Sequence, residues 1–412
     1  MGEVRELTDR LWQGSASTAE LSPLTLSLGL EAYAPGLAFV SAFANVTAIE
    51  TDAGLVLVDT GSSYAAPTIK AAVSEWSQAH VHTVVFTHGH VDHVMGIATF
   101  EREGRARVVA HEAIAARFER YRLTAGHNAH VNARQFRMPG IAWPTDYRTP
   151  DVTYRDHLSL SVGGEPIELH HARGETDDHT WVHLPNRRAV CTGDLFIWAT
   201  PNCGNPQKVQ RHPREWAVAL RAMAKLAPAL LLPGHGPAIE GEDRVHQALT
   251  ETATLLEILH DQTLALMNDG APLDVILGKV RAPPELLARP YLRPVYDEPE
   301  FIVRNTYRLY GGWWDGDPAH LKPPREDALA NEMASMVGGA ERLVERAEQL
   351  SRSGDHALAC QLVEWAARAS PADEGVRRAR TLIYRARAAT ETSLMAKSIF
   401  GATEDEPKRP AT

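Results

Sequence analysis

The alternation of apolar and polar positions gives the chain two textures. From Phe39 to Thr60 it reads FVSAFANVTAIETDAGLVLVDT, two runs rich in Val, Ile and Thr joined by Thr51-Asp52-Ala53-Gly54. That pattern predicts a β-hairpin whose second strand, Leu55 to Val58, is buried and ends at Asp59. Pro67 to Gln78 predicts a helix, and His82 to Thr87 another short buried strand. Strands continue at Arg107 to Ala110 and around Ile167 to Leu169. Trp181 to Leu184 pairs with Ala189 to Thr192 as a second hairpin across Pro185-Asn186, and a helix from Pro213 to Leu226 precedes a last strand, Ala229 to Leu232. Strands alternating with helices predict layered packing of sheets and helices.

Beyond Gly241 the period lengthens to that of helices: Glu242 to Asn268, Glu300 to Tyr310, Glu326 to Val337, Glu341 to Ser351, and a pair flanking Ser370-Pro371. Ala340 to Ala389 has the form of one helix-turn-helix unit, but no second copy follows at a fixed period, which argues against a solenoid. The expected division is therefore 1–241 as one domain, 242–400 as a helical domain, and 401–412 as a disordered tail rich in charge and proline.

Composition narrows the partners. The 412 residues carry a net charge of −10 with no stretch dense in Lys or Arg, which argues against a nucleic-acid backbone as partner. No window holds 18 uncharged apolar residues, so no membrane span is expected, and the first eleven residues lack the apolar core of a secretory signal. Three cysteines, Cys191, Cys203 and Cys360, cannot form a disulfide framework and fit a reducing, cytoplasmic setting. The outlying count is 19 histidines, the commonest metal ligand.

Three of them fall in Thr87-His88-Gly89-His90-Val91-Asp92-His93, directly after a buried strand. In a turn leaving a strand, His88 and His90 can point one way while Asp92 and His93 point to a neighbouring position, an arrangement that suits two adjacent metals. This run resembles the His-x-His-x-Asp-His signature of the metallo-β-lactamase fold, an α+β sandwich of layers αββα, and the resemblance extends from the opening hairpin to Gly236. It implies that Asp59 steadies the site loops, that Asp194 in Cys191-Thr192-Gly193-Asp194 bridges both metals, and that His235 in Leu232-Pro233-Gly234-His235-Gly236 serves the second metal. For the remaining ligand most members have histidine, whereas here the segment runs from His170 to His179 and Glu175 occupies that place. A glutamate there resembles the alkyl sulfatase branch; His171 is the main alternative, with His170 and His179 behind it. On this reading one metal takes His88, His90 and Glu175, the other Asp92, His93 and His235, and Asp194 bridges, with Asp92 and Asp194 the catalytic candidates. Mixed imidazole and carboxylate ligation suits two divalent ions, zinc first, with manganese and iron as alternatives.

A second segment, Arg304 to Ala319 (RNTYRLYGGWWDGDPA), is similar to the opening of the alkyl sulfatase dimerisation domain, and Ala340 to Thr392 to its remainder. It implies a homodimer formed through the helical half. Three departures separate activity from fold: the bridging position is Asp194 rather than glutamate, the last ligand loop reads PGHGP, and the chain is read as lacking the C-terminal lipid-carrier-like domain. Asn202 and Lys208, with Arg211 as alternate, lie where alkyl sulfatases bind sulfate. The segment Tyr121 to Tyr147 reads as a long connection walling the cleft, with His127, His130, Asn132, Arg134 and Arg137 as further contacts. No base pairs recognisably with Cys191 or Cys203, so no thiol chemistry is assigned.

The resemblance implies an enzyme, a dinuclear hydrolase in which a metal-bound hydroxide attacks a sulfate ester or similar small anionic ester. The alternatives are a hydrolase of the same fold acting on a lactone, thioester, β-lactam or phosphoester, and a non-catalytic dimeric scaffold stabilised by metal. A nuclease of the same superfamily is the weakest, because the helical half is acidic.

Overall fold

The structure is a computed structural model and describes residues 2–22 and 26–402. Among the described residues, thirteen strands form two sheets. The first takes β1 (Gly29–Ala34), β2 (Leu37–Ser41), β3 (Val46–Thr51), β4 (Gly54–Val58), β5 (Val81–Val85), β6 (Arg107–His111) and β7 (Val152–Tyr154) in sequence order. It is antiparallel up to β4 and parallel beyond it. The second holds β8 (His157–Val162), β9 (Glu165–His171), β10 (Thr180–Leu184), β11 (Ala189–Ile197), β12 (Leu230–His235) and β13 (Ile239–Glu240), ordered 13-12-11-10-9-8. Only its β11–β12 pair is parallel.

Three apolar clusters make these sheets a sandwich. Between them Phe39, Ile49, Val56, Val85 and Val109 meet Ile167, Leu169, Val182, Leu184 and Leu232. The outer face of the first sheet buries Leu55, Leu57, Val84 and Phe86 with Ile69 and Val73 of helix Ala66–Trp76 and Phe118 of helix Ile114–Leu123. The second sheet buries Val190, Leu195 and Leu231 under Trp216 and Leu220 of helix Pro213–Lys225 and Leu249 and Leu256 of helix Glu242–Asn268. The layers are therefore αββα, the fold class implied by the resemblance, and agree with the layered packing that the strand and helix pattern predicts.

The chain forms two compact units. The first ends at Gly312 and leaves out Ala129–Ile141; the second takes in that segment and resumes at Trp313. The secondary structure does turn helical at Gly241, but helix Glu242–Asn268 packs on helix Pro213–Lys225 and on the second sheet, so compactness runs on to Gly312 rather than parting at Gly241. In the second unit, Ala347, Leu350, Val363 and Ile383 join helices Ala340–Arg352, His356–Ala369 and Glu374–Thr390. The tail expected from 401 onwards falls, from 403, outside the described residues; Gly401 ends helix Leu394–Gly401. Among the described residues no helix is long and apolar enough to cross a membrane.

Two readings need correction. The run beginning at Phe39 is not one strand: residues 42–45 turn it, and Asn45 makes the turn by accepting from the Ala42 amide at 3.1 Å. The connection from Tyr121 to Tyr147 contains helix Ala125–Phe136, whose polar sequence carries too few apolar positions to display a period.

Asn45 also ties the two sheets together. Its buried side-chain amide donates to the carbonyls of Pro233 (2.9 Å) and Gly236 (2.8 Å), on either side of His235. Asn45→Ala leaves those groups without partners and is expected to cost about 2–3 kcal/mol in urea denaturation, against under about 0.5 kcal/mol for Ser161→Ala on an exposed face.

Candidate metal centre

Apart from Asp194, which lies within β11, every residue of the cluster leaves a strand end or the turn or short helix just beyond it. β5 runs into the turn holding His88 and His90, and a short helix, Val91–Val94, carries Asp92 and His93. β11 brings Asp194, β12 ends on His235, and the turn between β9 and β10 brings Glu175. His88, His90, Glu175 and Asp194 place one ligand atom each within 4.8 Å of one another, and so do Asp92, His93 and His235. All are buried except His90 and Asp92, which are partly so.

Asp194 faces both groups. Its Oδ2 lies 3.7 Å from His88 Nε2 and 3.4 Å from His235 Nε2, and its Oδ1 lies 3.2 Å from His93 Nε2. Asp92 Oδ2 is 3.5 Å from His235 Nε2, and Glu175 Oε1 is 3.9 Å from His90 Nδ1. His88 Nε2 and His90 Nδ1 approach to 2.8 Å. Close packing of Gly193 and Gly234 makes room for this: a Cβ on Gly234 would fall 2.2 Å from Asp194 Oδ1, and one on Gly193 2.6 Å from His179 Nε2 at a φ of +49°.

The imidazoles are held by hydrogen bonds on the nitrogen that faces away. Asp59, at φ +63°, ends β4; it accepts from the Thr87 amide (2.7 Å), the Thr87 hydroxyl (2.7 Å) and His93 Nδ1 (2.8 Å). With its proton committed to Asp59, the Thr87 hydroxyl accepts from His88 Nδ1 at 3.0 Å. His235 Nδ1 donates to the Phe43 carbonyl. Each of these three rings thereby turns its Nε2 inward, which in the neutral ring carries the lone pair a cation needs. A buried ion pair holds the His88–His90 turn: Asp178 accepts from the Gly89 amide (2.8 Å) and lies 2.8 Å from Arg117 Nε.

Electrostatics agree with a site made for cations. Burial would depress His93, yet the carboxylates of Asp194, Asp59 and Asp92 hold it well above the ordinary imidazole value. Burial, and then the neighbouring His93 and His90, drive His88 far down. Among the described residues His93 Nε2, Glu175 Oε2 and Asp194 Oδ1 are buried without a hydrogen-bond partner. Such orphaned atoms are costly unless something binds them, and imidazole nitrogen with carboxylate oxygen is the donor set of a divalent transition metal. The residues present fit that group.

The other expectations fall as follows. His171 stands apart from the cluster, its ring stacked on His111 at 3.6 Å and its Nδ1 3.0 Å from the His179 carbonyl. His170 stacks on Trp181, and buried His179 stacks on His88. Arg211 and Asn202 engage Glu175, Arg211 as a buried ion pair at 2.6 Å and Asn202 through its amide nitrogen. Burial and the Arg211 charge push Lys208 down to about 8, with its Nζ 5.7 Å from the Trp143 ring. His127, His130, Arg134 and Arg137 are exposed, and Asn132 is buried. Cys191, Cys203 and Cys360 are buried and unpaired.

Apart from Asp59, sequence reasoning missed the holders. Asn305, on helix Pro299–Gly311, accepts from the Arg211 amide (3.2 Å) and Gln210 Nε2 (2.7 Å) and donates to the Arg211 carbonyl (3.1 Å). Asp297 accepts from the Gly204 amide at 2.6 Å. Burial and the charges of Glu175 and Asp92 raise the buried Tyr296 phenol, which places it electrostatically against the cluster. The one available signal was that Asn305 lies in the segment already singled out from Arg304 to Ala319.

Known proteins supply the family. Residues 42–235 match the metallo-beta-lactamase superfamily, and 273–409 match the alkyl sulfatase dimerisation family. A linear primary-alkylsulfatase of Pseudomonas sp. (strain ATCC 19151) is 27% identical over 82% of this chain and 69% of its own length. An (R)-specific secondary-alkylsulfatase of Pseudomonas sp. is 27% identical over 81% and 55%, and an alkyl/aryl-sulfatase of Saccharomyces cerevisiae 24% over 89% and 62%. The chain thus spans between 55% and 69% of the length of these relatives. The solved structure of a stereoselective inverting sec-alkylsulfatase from Pseudomonas sp. superposes with a TM-score of 0.84 at 23% identity, covering 92% of this chain and 66% of that one, a likeness of fold. The chain joins a metallo-beta-lactamase superfamily domain to an alkyl sulfatase dimerisation domain and is homologous to the alkylsulfatases.

Proposed function

We propose that the protein is a metal-dependent hydrolase with two divalent cations that cleaves a sulfate ester or a similar small anionic ester. The observation that carries it is Asp194, one carboxylate facing imidazoles of both donor groups. On this reading His88, His90 and Glu175 hold one ion and Asp92, His93 and His235 the other, Asp194 being shared; the donor set suits zinc. When bound, such ions supply an activated water near neutral pH and neutralise charge on the attacked group.

The chain's own residues do the rest. Asp59 orients His93 directly and His88 through Thr87 with Nε2 inward, and the Phe43 carbonyl does so for His235. Arg211, Asn202 and Lys208 receive the anionic ester. Arg211 Nε is buried and has no hydrogen-bond partner among the described residues, so a charged donor remains beside Glu175 for a sulfate oxygen. Alkylsulfatase relatives support the sulfate ester over other bonds. The second reading, a lactone, thioester, β-lactam or phosphoester hydrolase of the same fold, rests on Asp194 and the PGHGP loop. The match of residues 273–409 to the alkyl sulfatase dimerisation family supports a homodimer formed through the helical half.

Three experiments test this. Metal analysis of the purified chain should give about two ions; Glu175→Ala should lose about one and His171→Ala none, and the reverse order would transfer the ligand role to His171. Asp59→Asn should weaken metal affinity by about 10–100-fold with an unchanged circular dichroism spectrum, because an amide cannot accept from all three of its donors. On a panel of alkyl sulfates, lactones, β-lactams and phosphodiesters, turnover should be confined to sulfates and fall at least about 100-fold in Asp194→Asn. Metal-dependent turnover of another ester with none of alkyl sulfates would replace the first reading by the second.

A further inference from the structure

The outer face of the second sheet gathers a separate set of ligand-type side chains. Leu158, Ile167, Leu169, Val182 and Leu184 point into the core between the sheets, so the two-residue period turns His157, Glu168, His170, Trp181 and His183 to the opposite face. Register completes the grouping: His157 and Trp181 both lie opposite His170, and His183 lies opposite Glu168. Three histidines and one glutamate from three adjacent strands thus share one patch.

Glu168 lies between two of the imidazoles. Glu168 Oε2 is 2.7 Å from His183 Nδ1 and 3.8 Å from His170 Nε2, and the rings of His157 and His170 are 4.6 Å apart. Two ligands bound at about 2.0–2.1 Å around a tetrahedral zinc stand roughly 3.3 Å from each other, so these separations bracket that of a ligand pair. Trp181 fixes the plane of His170 by stacking at 4.0 Å and 11°. His170 Nε2 is buried and has no hydrogen-bond partner among the described residues. The protonation states fit as well. A hydrogen bond from His183 lowers the Glu168 carboxyl, and burial with the neighbouring His157 pushes His170 down to about 4, leaving a neutral imidazole.

We propose that side-chain rotations bring Glu168, His170 and His183 together with the exposed His157 as a second metal site that takes one divalent cation of the zinc, nickel and copper class. An ion there would bridge β9 to β10 and, through His157, to β8, the edge strand of the sheet. Its role is that of a staple across an edge that the flanking helices leave uncovered.

The test is equilibrium dialysis of the chain, free of any polyhistidine tag, against Zn2+ alone, with bound metal counted by mass spectrometry. Glu168→Gln and His183→Asn should each bind one equivalent fewer than wild type while keeping its circular dichroism spectrum. Asp194→Asn, altered only in the other cluster, should retain that equivalent. Equal uptake by wild type, Glu168→Gln and His183→Asn would overturn the proposal, whatever the Asp194 variant shows about the first site.

Discussion

The site depends on the Asp59 carboxylate. Buried at the end of β4, it receives three hydrogen bonds and through them orients His88 and His93 on a different strand's turn. An imidazole has two tautomers, and only one of them turns a lone pair towards the neighbouring carboxylates. Without a fixed acceptor behind the ring, the tautomer and ring orientation would be free to vary. The left-handed backbone at Asp59 is the local cost of aiming one carboxylate at two successive turns.

The sandwich explains why such aiming is possible. The parallel pairs β4–β5 and β11–β12 bring strand ends side by side, and the turns beyond them converge, as is usual where strands of α/β sheets end. Asn45 links the first sheet's β2–β3 turn to the His235 loop, and Arg117 with Asp178 pins the His88–His90 turn from below a helix. Crowding three carboxylates and four imidazoles together is unfavourable in itself. The rigid surroundings hold donor atoms in mutual opposition, and cations of matching charge would relieve it.

What could be read along the chain was whatever is concentrated in neighbouring positions. THGHVDH announces itself because the chemistry and the preceding buried strand are contiguous, and helix Glu242–Asn268 because its period persists over many turns. The holders other than Asp59 could not be read in this way. Asp178 reaches the Gly89 amide across 89 positions, and Asn45 reaches Pro233 across 188; neither looks different from a surface residue until the fold closes. The turn at 42–45 was hidden for the opposite reason, since Ala42, Phe43 and Ala44 continue the apolar run through the bend. Strand β8, HLSLSV, alternates cleanly, yet half its side chains face solvent, and its neighbours' denser apolar runs drew the strand series past it.

The segment around helix Pro299–Gly311 bears on how the two matched families work as one protein. The dimerisation match begins at residue 273, yet Asn305, Asp297 and Tyr296 lie in the same compact unit as the metal cluster. Asn305 grips the Arg211 backbone from both sides, and Asp297 anchors Gly204, two residues beyond Asn202. A Cβ at Gly204 would stand 2.1 Å from the Phe301 carbonyl carbon, so the loop and the helix can approach only because that residue is glycine. The accessory sequence therefore supplies the rigid backing for the loop that carries Asn202 and Arg211 to Glu175. A loop with those two residues but without that backing would be free to let the guanidinium swing into solvent, where it is worth little to an anion. Geometry at the proposed anion site is thus set jointly by both matched segments, and neither alone contains the parts that define it.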